Sequence, residues 1–147
     1  MDKQPQVIEL RLLENFLFEV DFGEFGNIMT DEAPPVGGGE GPDPSMMVAA
    51  GVANCLAASL LFALRKYKSD PKGLRATVSI VTERVEKHLR ITSLQVKLHL
   101  ESEKQQLPGL DQALEQFEKF CVVTQSVRQG IPTSVEVFDA GGTQLTN

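Results

Sequence analysis

The stretch that decides the fold runs from Asp43 to Lys66 and reads DPSMMVAAGVANCLAASLLFALRK. Asp43 is a typical N-cap residue, because its carboxylate can accept a backbone N–H that the first helical turn leaves unpaired. Pro44 suits the first helical position, where no N–H is needed. Arg65 and Lys66 carry positive charge, which is favourable at the C-terminal end of a helix. The stretch is therefore predicted to form one long helix with both ends marked.

Between its ends this helix has no polar face. From residue 46 to residue 64 the only side chains with appreciable polarity are Asn54, Cys55 and Ser59. A helix that is apolar all round is buried all round, either in a protein core or in a bilayer. The abundance of Ala and Gly, and the position of Asn54 near the middle, argue against a membrane span. We therefore predict the central helix of a soluble core, with a thiol near its middle.

Composition restricts the class of protein. The 147 residues, 41% of them hydrophobic, predict a single domain over residues 1–147 with a sizeable core. The formal charge of −6 disfavours a nucleic-acid-binding protein, since phosphate neutralisation needs a basic surface. The chain has no early apolar block typical of a signal peptide, and its two cysteines lack CxxC spacing. A secreted disulfide framework is therefore not expected, and a cytoplasmic location is predicted.

Short strands are predicted before the long helix. Apolar and charged side chains alternate over residues 16–22, and residues 7–12 are also strand-like, so a hairpin or meander is expected with a third strand at residues 27–30. Residues 31–43 form a glycine-rich loop. A phosphate cradle is not favoured there, because no Lys-Ser or Lys-Thr follows and Asp43 would repel phosphate. We interpret the loop as a flexible approach that allows close backbone packing around the helix.

A β hairpin is predicted after the long helix. Its strands are expected from Leu74 to about Lys87 and from Ile91 to Glu101, joined by a turn at residues 87–90, with one wet face and a plausible bulge in the first strand. His88 would lie in the turn and His99 on the outward face, so both are predicted to be solvated. Two cysteines and two histidines at irregular spacing do not match a zinc site, and no metal or other cofactor is predicted.

A second helix that carries a cysteine is predicted near the C-terminus. Apolar residues recur at intervals of three and four from Leu110 to about Gln129, so one amphipathic helix is expected with Cys121 on its apolar stripe. Gly130 ends this helix. Residues 133–138 are predicted to form a final strand, and the tail beyond Gly141 is expected to fray.

Two thiols on the buried sides of two helices are the candidates for chemistry. Cys55 and Cys121 could be inert packing, since free cysteine is commonly buried, or a reactive pair if their helices bring the sulfurs together. Reactivity requires a thiolate, and Cys55 lies too far along its helix for the N-terminal dipole to help. A nearby cation would have to lower its pKa. Arg11, Arg84 and Arg128 are the candidates, each with an ordinary surface charge as the alternative.

Two segments of the chain resemble the OsmC/Ohr family, named for osmotically inducible protein C and organic hydroperoxide resistance protein. They are Gly41–Pro44 leading into Met47–Cys55, and Phe120–Arg128. The order of predicted elements also agrees over nearly the whole chain. The resemblance implies an α+β fold with a β meander, a long Cys helix, an antiparallel hairpin, a second Cys helix and a final strand. It further implies an intertwined homodimer with two active sites at the interface.

The resemblance also implies a chemistry for the two thiols. Cys55 would be the peroxidatic thiol, oxidised to a sulfenic acid by an organic hydroperoxide, and Cys121 the resolving thiol. The resulting disulfide would be reduced by an external dithiol. In the family an activating Arg comes from the meander, which points to Arg11, and a Glu follows the Pro that opens the helix. Ser45 stands at that position here, and Glu40 in the preceding loop is the candidate to replace the Glu.

Two classes of function therefore stay open, besides a purely structural dimer. One is a thiol-dependent peroxidase of organic hydroperoxides. The other is a non-catalytic OsmC-like protein that binds a small hydrophobic ligand at the dimer interface, a possibility that Ser45 favours. Neither class involves nucleic acid or a membrane.

Overall fold

Alternating side chains pair the N-terminal residues into an antiparallel meander. The computed structural model describes residues 4–146. Three strands pair in chain order: β1 (Glu9–Glu14), β2 (Leu17–Asp21) and β3 (Asn27–Thr30). Val20 is buried and pairs with Leu10 on one side and Ile28 on the other. The predicted meander, including its third strand, is confirmed.

The loop after β3 is organised around one buried carboxylate, that of Asp31. Its oxygens accept the backbone N–H groups of Glu32, Gly38 and Glu40 at 2.7, 3.2 and 3.1 Å. A Cβ added to Gly41 would overlap the carbonyl of Met29, so the loop backbone packs closely against β3 and not, as predicted, against the helix. The interpretation of the loop as flexible is wrong, because three hydrogen bonds to one buried side chain fix its shape.

The long helix begins and ends where the sequence indicates. Helix α1 spans Pro44–Lys66, with Asp43 as its N-cap. The Asp43 carboxylate accepts the backbone N–H of Met46 at 2.9 Å. Pro44 occupies the first turn and Arg65 lies in the last turn, as predicted.

One face of α1 forms the core of the chain. Its length and composition would allow a membrane span, but its buried face packs against the hairpin and the C-terminal helices, as expected of a core helix. The buried side chains recur at intervals of three and four: Ala49, Val52, Ala53, Leu56, Ser59, Leu60, Ala63 and Leu64. The opposite face is open: its residues Gly51, Asn54, Ala58 and Phe62 are exposed, with Phe62 64% exposed. The prediction of burial on every side is therefore wrong for the single chain.

The hairpin after α1 has a tighter turn than predicted. Strands β4 (Leu74–Val85) and β5 (His88–Leu100) pair antiparallel. The predicted bulge lies in the second strand and not in the first, because Val81 and Thr82 pair with Ser93 and Ile91 and leave Thr92 as the extra residue. The turn consists of Glu86 and Lys87 alone, with φ of 52° and 75°. Two successive positive φ values match the right-handed twist of a hairpin. The predicted turn at residues 87–90 is wrong, since His88 already pairs with Val85 in the ladder.

The predicted C-terminal helix is broken at its cysteine. Helix α2 (Leu110–Gln116) is followed by a 3₁₀ turn (Phe117–Phe120), and helix α3 spans Val122–Gln129. Cys121 between them has φ −80° and ψ 96°, which is extended backbone. The prediction of one continuous helix with Cys121 inside it is wrong. The β-branched residues that begin α3, Val122, Val123 and Thr124, have low helix propensity and allow the break.

The residues predicted to form the final strand have little strand pairing in the single chain. Within residues 4–146, Phe138 makes one isolated antiparallel bridge to Gln144, and Val135 is 69% exposed. Residues 133–138 are not a strand, because no neighbouring strand of the same chain runs beside them. The prediction that the tail beyond Gly141 frays is wrong, because Leu145 donates its N–H to the carbonyl of Val137 at 2.6 Å.

Candidate thiol site

The break between α2 and α3 places Cys121 at the centre of an apolar cluster. Its side chain is fully buried. Val52 and Leu56 of α1 form the buried cluster with it, and Phe117 packs against them from the 3₁₀ turn. Cys121 is the N-cap of α3, and its carbonyl accepts the N–H of Gln125 at 3.0 Å. The cysteine is thus held by the α1 packing on one side and by the first turn of α3 on the other.

The fold brings the second cysteine to the same place. Cys55 lies on α1 between Val52 and Leu56 and packs against the cluster that contains Cys121. It is half-buried, whereas Cys121 has no exposed surface, and both are free thiols. Two cysteines 66 positions apart in the sequence therefore meet, as the reactive-pair interpretation requires.

Two buried hydroxyls accompany the Cys121 sulfur. Its Sγ lies 3.0 Å from Oγ1 of Thr124, which is 5% exposed. Burial raises the pKa of the Cys121 thiol, but hydrogen bonds from Thr124, Cys55 and Ser59 together hold that pKa below its ordinary value. Ser59 is on α1 and is 8% exposed. The site therefore lowers the pKa of the cysteine that is shielded from water.

Sequence reasoning missed both hydroxyl residues. Thr124 falls within the apolar stripe predicted for the C-terminal helix, and Ser59 is one of the few polar side chains of α1. The signal that could have found them is helical spacing: Ser59 follows Cys55 by four residues and Thr124 follows Cys121 by three. Side chains at these intervals lie on one helix face.

A cavity of about 540 Å³ lies beside the cysteine cluster. Val52, Leu56, Phe117 and Thr124 contribute both to its wall and to the surroundings of Cys121. The rest of the lining is apolar with a few polar groups: Val48, Ile91, Thr92, Ser93, Leu94, Val96, Leu98, Glu118, Val127 and Arg128. A cavity of this character suits a small, mostly apolar molecule.

Of the candidate cations, Arg128 is the one that lines this cavity. Its Nη2 lies 2.7 Å from Oε1 of Glu118, so its charge is paired. The groups that shift the pKa of Cys121 are thiols, hydroxyls and backbone, not this guanidinium. Arg128 is therefore placed to contact a molecule in the cavity rather than to act on the buried sulfur.

The other predicted charged residues lie elsewhere in the chain. Arg11 pairs with Glu19 across β1 and β2 at 3.1 Å, and Arg84 donates to the carbonyl of Lys87 at the hairpin turn. Glu40 is held in the loop by its N–H bond to the Asp31 carboxylate. None of the three lines the cavity, so the roles of Arg11 and Glu40 in activating Cys55 stay predictions. Among residues 4–146 no cluster of His, Cys, Asp and Glu is arranged to hold a metal ion.

The fold and the site define an α+β protein in which two free thiols meet beside an apolar cavity. The model of the family described as OsmC-like protein matches residues 37–136. The chain belongs to the OsmC-like family. No curated protein matches the sequence at a significant level.

Solved structures share the fold at low sequence identity. A hypothetical protein from Aquifex aeolicus VF5 has a TM-score of 0.66 and 20% identity, over 87% of this chain and 90% of that one. An OsmC-like protein of unknown function from Vibrio cholerae O1 has a TM-score of 0.68 and 12% identity, over 84% and 94%. A Legionella pneumophila protein described as an organic hydroperoxide resistance protein OsmC has a TM-score of 0.60 and 19% identity, over 87% and 92%.

Proposed function

We propose that this chain is a cysteine-dependent peroxidase that reduces organic hydroperoxides. The observation that carries the proposal is the packing of Cys55 against the cluster of Cys121 beside an apolar cavity. Membership of the OsmC-like family supports it, as does the likeness to a Legionella protein described as an organic hydroperoxide resistance protein. The apolar lining favours organic hydroperoxides over hydrogen peroxide.

The difference in exposure assigns a different chemical role to each of the two thiols. Cys55 is half-buried and Cys121 fully buried, so a hydroperoxide reaches Cys55 first. The Cys55 thiolate attacks the terminal peroxide oxygen, the O–O bond breaks, and the alcohol leaves with the thiol proton. Cys55 is then a sulfenic acid. Cys121 attacks its sulfur, the S–O bond breaks, and water leaves as the disulfide forms. An external dithiol returns both cysteines to thiols by exchange.

A homodimer completes the proposal. The exposed apolar side chains of α1, Met46, Val48 and Phe62, support a second copy of the chain as their cover. Residues 133–138 also lack a neighbouring strand in the single chain. In this proposal residues 1–147 form one OsmC-like domain in the cytoplasm, and Arg11 reaches Cys55 only in the dimer. Sedimentation velocity at micromolar concentration should show a dimer, and a monomer would contradict this part.

Intact mass spectrometry tests the chemistry. Reduced wild type, Cys55→Ser and Cys121→Ser are each mixed with one equivalent of cumene hydroperoxide. Wild type should lose two hydrogens, Cys121→Ser should gain one oxygen that dimedone traps, and Cys55→Ser should stay unchanged. Consumption of hydroperoxide at the wild-type rate by Cys55→Ser would refute the assignment.

The second candidate function is binding of a small hydrophobic ligand without catalysis. The cavity volume of about 540 Å³ falls within the range typical of ligand sites, about 300–1,000 Å³. Ser45 in place of the family Glu also favours this function. No mass change in any of the three proteins, with saturable binding of a fluorescent apolar probe, would support it over the peroxidase.

A further inference from the structure

We propose that the hydroxyls of Thr124 and Ser59 are positioning groups for Cys121, which hold its sulfur as the nucleophile that closes the disulfide. They would set the rate of resolution and not the rate of the first reaction with hydroperoxide. The inference rests on the proposed peroxidase function and assigns roles to two residues that the catalytic cysteines alone do not explain.

The two hydroxyls approach the sulfur from different elements. Thr124 lies in the first turn of α3, with its Oγ1 3.0 Å from the Cys121 sulfur, and Ser59 lies on the buried face of α1. Both side chains are less than a tenth exposed. Burying a hydroxyl among apolar groups is unfavourable unless it is hydrogen-bonded. The 3.0 Å contact with Thr124 and the packing of α1 against Cys121 restrict where the sulfur can lie, as positioning requires.

The remaining surroundings leave Thr124 as the main stabiliser of a charged sulfur, followed by Cys55 and then by Ser59. The side chains of β5 that pack against the cluster, Leu94, Val96 and Leu98, are apolar. The titratable group in contact is the Cys55 thiol, while Glu118 and Arg128 on the cavity wall pair with each other. In the thiol state Cys121 donates to Thr124, and in the thiolate state the hydroxyls donate to sulfur. Their hydrogen bonds act with that of Cys55 to keep the pKa of Cys121 low despite burial.

The step that they assist is balanced without any further reagent. The Cys121 thiolate attacks the sulfur of the Cys55 sulfenic acid, an S–S bond forms and the S–O bond breaks. The departing hydroxide takes up the proton that Cys121 released and leaves as water. Positioning matters because an attacking atom must approach along the S–O bond axis at close range.

Rapid-quench mass spectrometry on the full chain separates the two steps. Thr124→Val and Ser59→Ala are mixed with one equivalent of cumene hydroperoxide, and the sulfenic and disulfide forms are followed over time. The sulfenic form should accumulate and the disulfide should form about tenfold more slowly or slower still, because a hydrogen bond to a charged group is lost. Hydroperoxide should disappear at the wild-type rate in Ser59→Ala, because Ser59 does not line the cavity. Thr124→Ser, which keeps the hydroxyl, should restore fast resolution.

A second measurement needs no hydroperoxide. In Cys55→Ser, which leaves one thiol, the ultraviolet absorbance of the thiolate is titrated with pH, with and without Thr124→Val. The midpoint should move to higher pH in Thr124→Val and return in Thr124→Ser. Circular dichroism checks that each variant is folded.

The outcomes separate this inference from the proposed function. Wild-type resolution rates in Thr124→Val and Ser59→Ala would overturn the inference while leaving the peroxidase intact. Slow resolution in Thr124→Ser as well would also overturn it, because the effect would then come from packing. No sulfenic acid or disulfide in wild type would refute the proposed function, and an unchanged thiolate midpoint would overturn the inference by itself.

Discussion

The guanidinium of Arg128 lies 2.7 Å from the carboxylate of Glu118, and so ties α3 to the 3₁₀ turn on the other side of Cys121. Gln125 spans the same break, donating its side-chain N–H to the Glu118 carbonyl at 3.0 Å. The residue that interrupts the helix is therefore bridged by two contacts.

The ion pair itself should contribute little to stability. The side chains of Arg128 and Glu118 are 55% and 48% exposed. Exposed pairs contribute about 0–1 kcal/mol, because solvent screens them. We therefore expect Arg128→Gln, Glu118→Gln and the double variant to change the free energy of unfolding by less than about 1 kcal/mol, as measured by urea denaturation. A loss of several kcal/mol that persists in high salt would show that these side chains do more than pair.

Gly109 and Gly130 separate close packing from backbone conformation. Gly130 has φ 76° and ψ 143°, a region that is essentially restricted to glycine, so Gly130→Ala should cost about 1–3 kcal/mol through backbone conformation alone. Gly109 is in the left-handed helical region, with φ 70° and ψ 13°, so its backbone cost is about 1–2 kcal/mol. A Cβ on Gly109 would also overlap the base of the Tyr67 side chain, whereas none of the described atoms lies within 4 Å of a Cβ on Gly130. Gly109→Ala should therefore cost a further ~1–3 kcal/mol through overpacking. A total loss for Gly109→Ala no larger than its backbone cost, measured by urea denaturation, would contradict the contact with Tyr67.

Leu64 is the largest fully buried side chain in the cluster that joins α1 to α2. Leu64→Ala should lower the free energy of unfolding by about 2–5 kcal/mol, because it removes apolar burial and leaves a cavity. Leu145→Ala deletes the same atoms from a side chain that is 62% exposed, and should change the free energy of unfolding by less than about 0.5 kcal/mol. Chemical denaturation of the two variants side by side measures the difference. A small effect at Leu64 would show that α1 is not the centre of the core.

Asp31 should make the stability of the chain depend on pH. The backbone N–H of Glu40 is the largest influence lowering the pKa of this carboxyl; burial opposes it, and the N–H groups of Glu32 and Gly38 add to the lowering. The folded-state pKa thus lies below the unfolded value of about 3.9, so the stabilisation is complete above that value and is lost as pH falls through the folded pKa.

The test compares wild type with Asp31→Asn between about pH 5 and about pH 3. The urea midpoint of wild type should fall more over this range than that of the variant. Asp70→Asn, at an exposed turn where the carboxylate accepts one N–H from Lys72, serves as the matched control. If the urea midpoints of wild type and Asp31→Asn fall equally with pH, the stability of the loop does not depend on the charge of Asp31.

Local signals made much of the fold predictable. The ends of α1 follow from a cap, a proline and two basic residues that act within one turn of the chain. The meander and the hairpin follow from alternation of side chains. The turn at Glu86 and Lys87 was placed too late, because neither residue is a glycine or an asparagine, the usual residues at positive φ.

What failed depends on contacts that periodicity does not reveal. The spacing of apolar residues from Leu110 to Gln129 continues through Cys121, so the pattern could not show that the backbone leaves the helix there. The composition of α1 predicted burial on every side, without showing that only one face of the helix is buried within the chain. Both cysteines of the site were found as unusual residues in apolar helices, whereas Thr124 was hidden because a threonine is unremarkable on a helical stripe.

The interruption at Cys121 also determines how the chain would adjust to a covalent bond at this residue. A cysteine inside a continuous helix can be displaced only by moving the whole helix, since each residue is hydrogen-bonded to residues one turn away. Cys121 sits instead at a joint between two short rigid segments, α2 and α3. A disulfide between Cys55 and Cys121 would be accommodated by a small rotation at this joint, and the rest of the core would keep its shape.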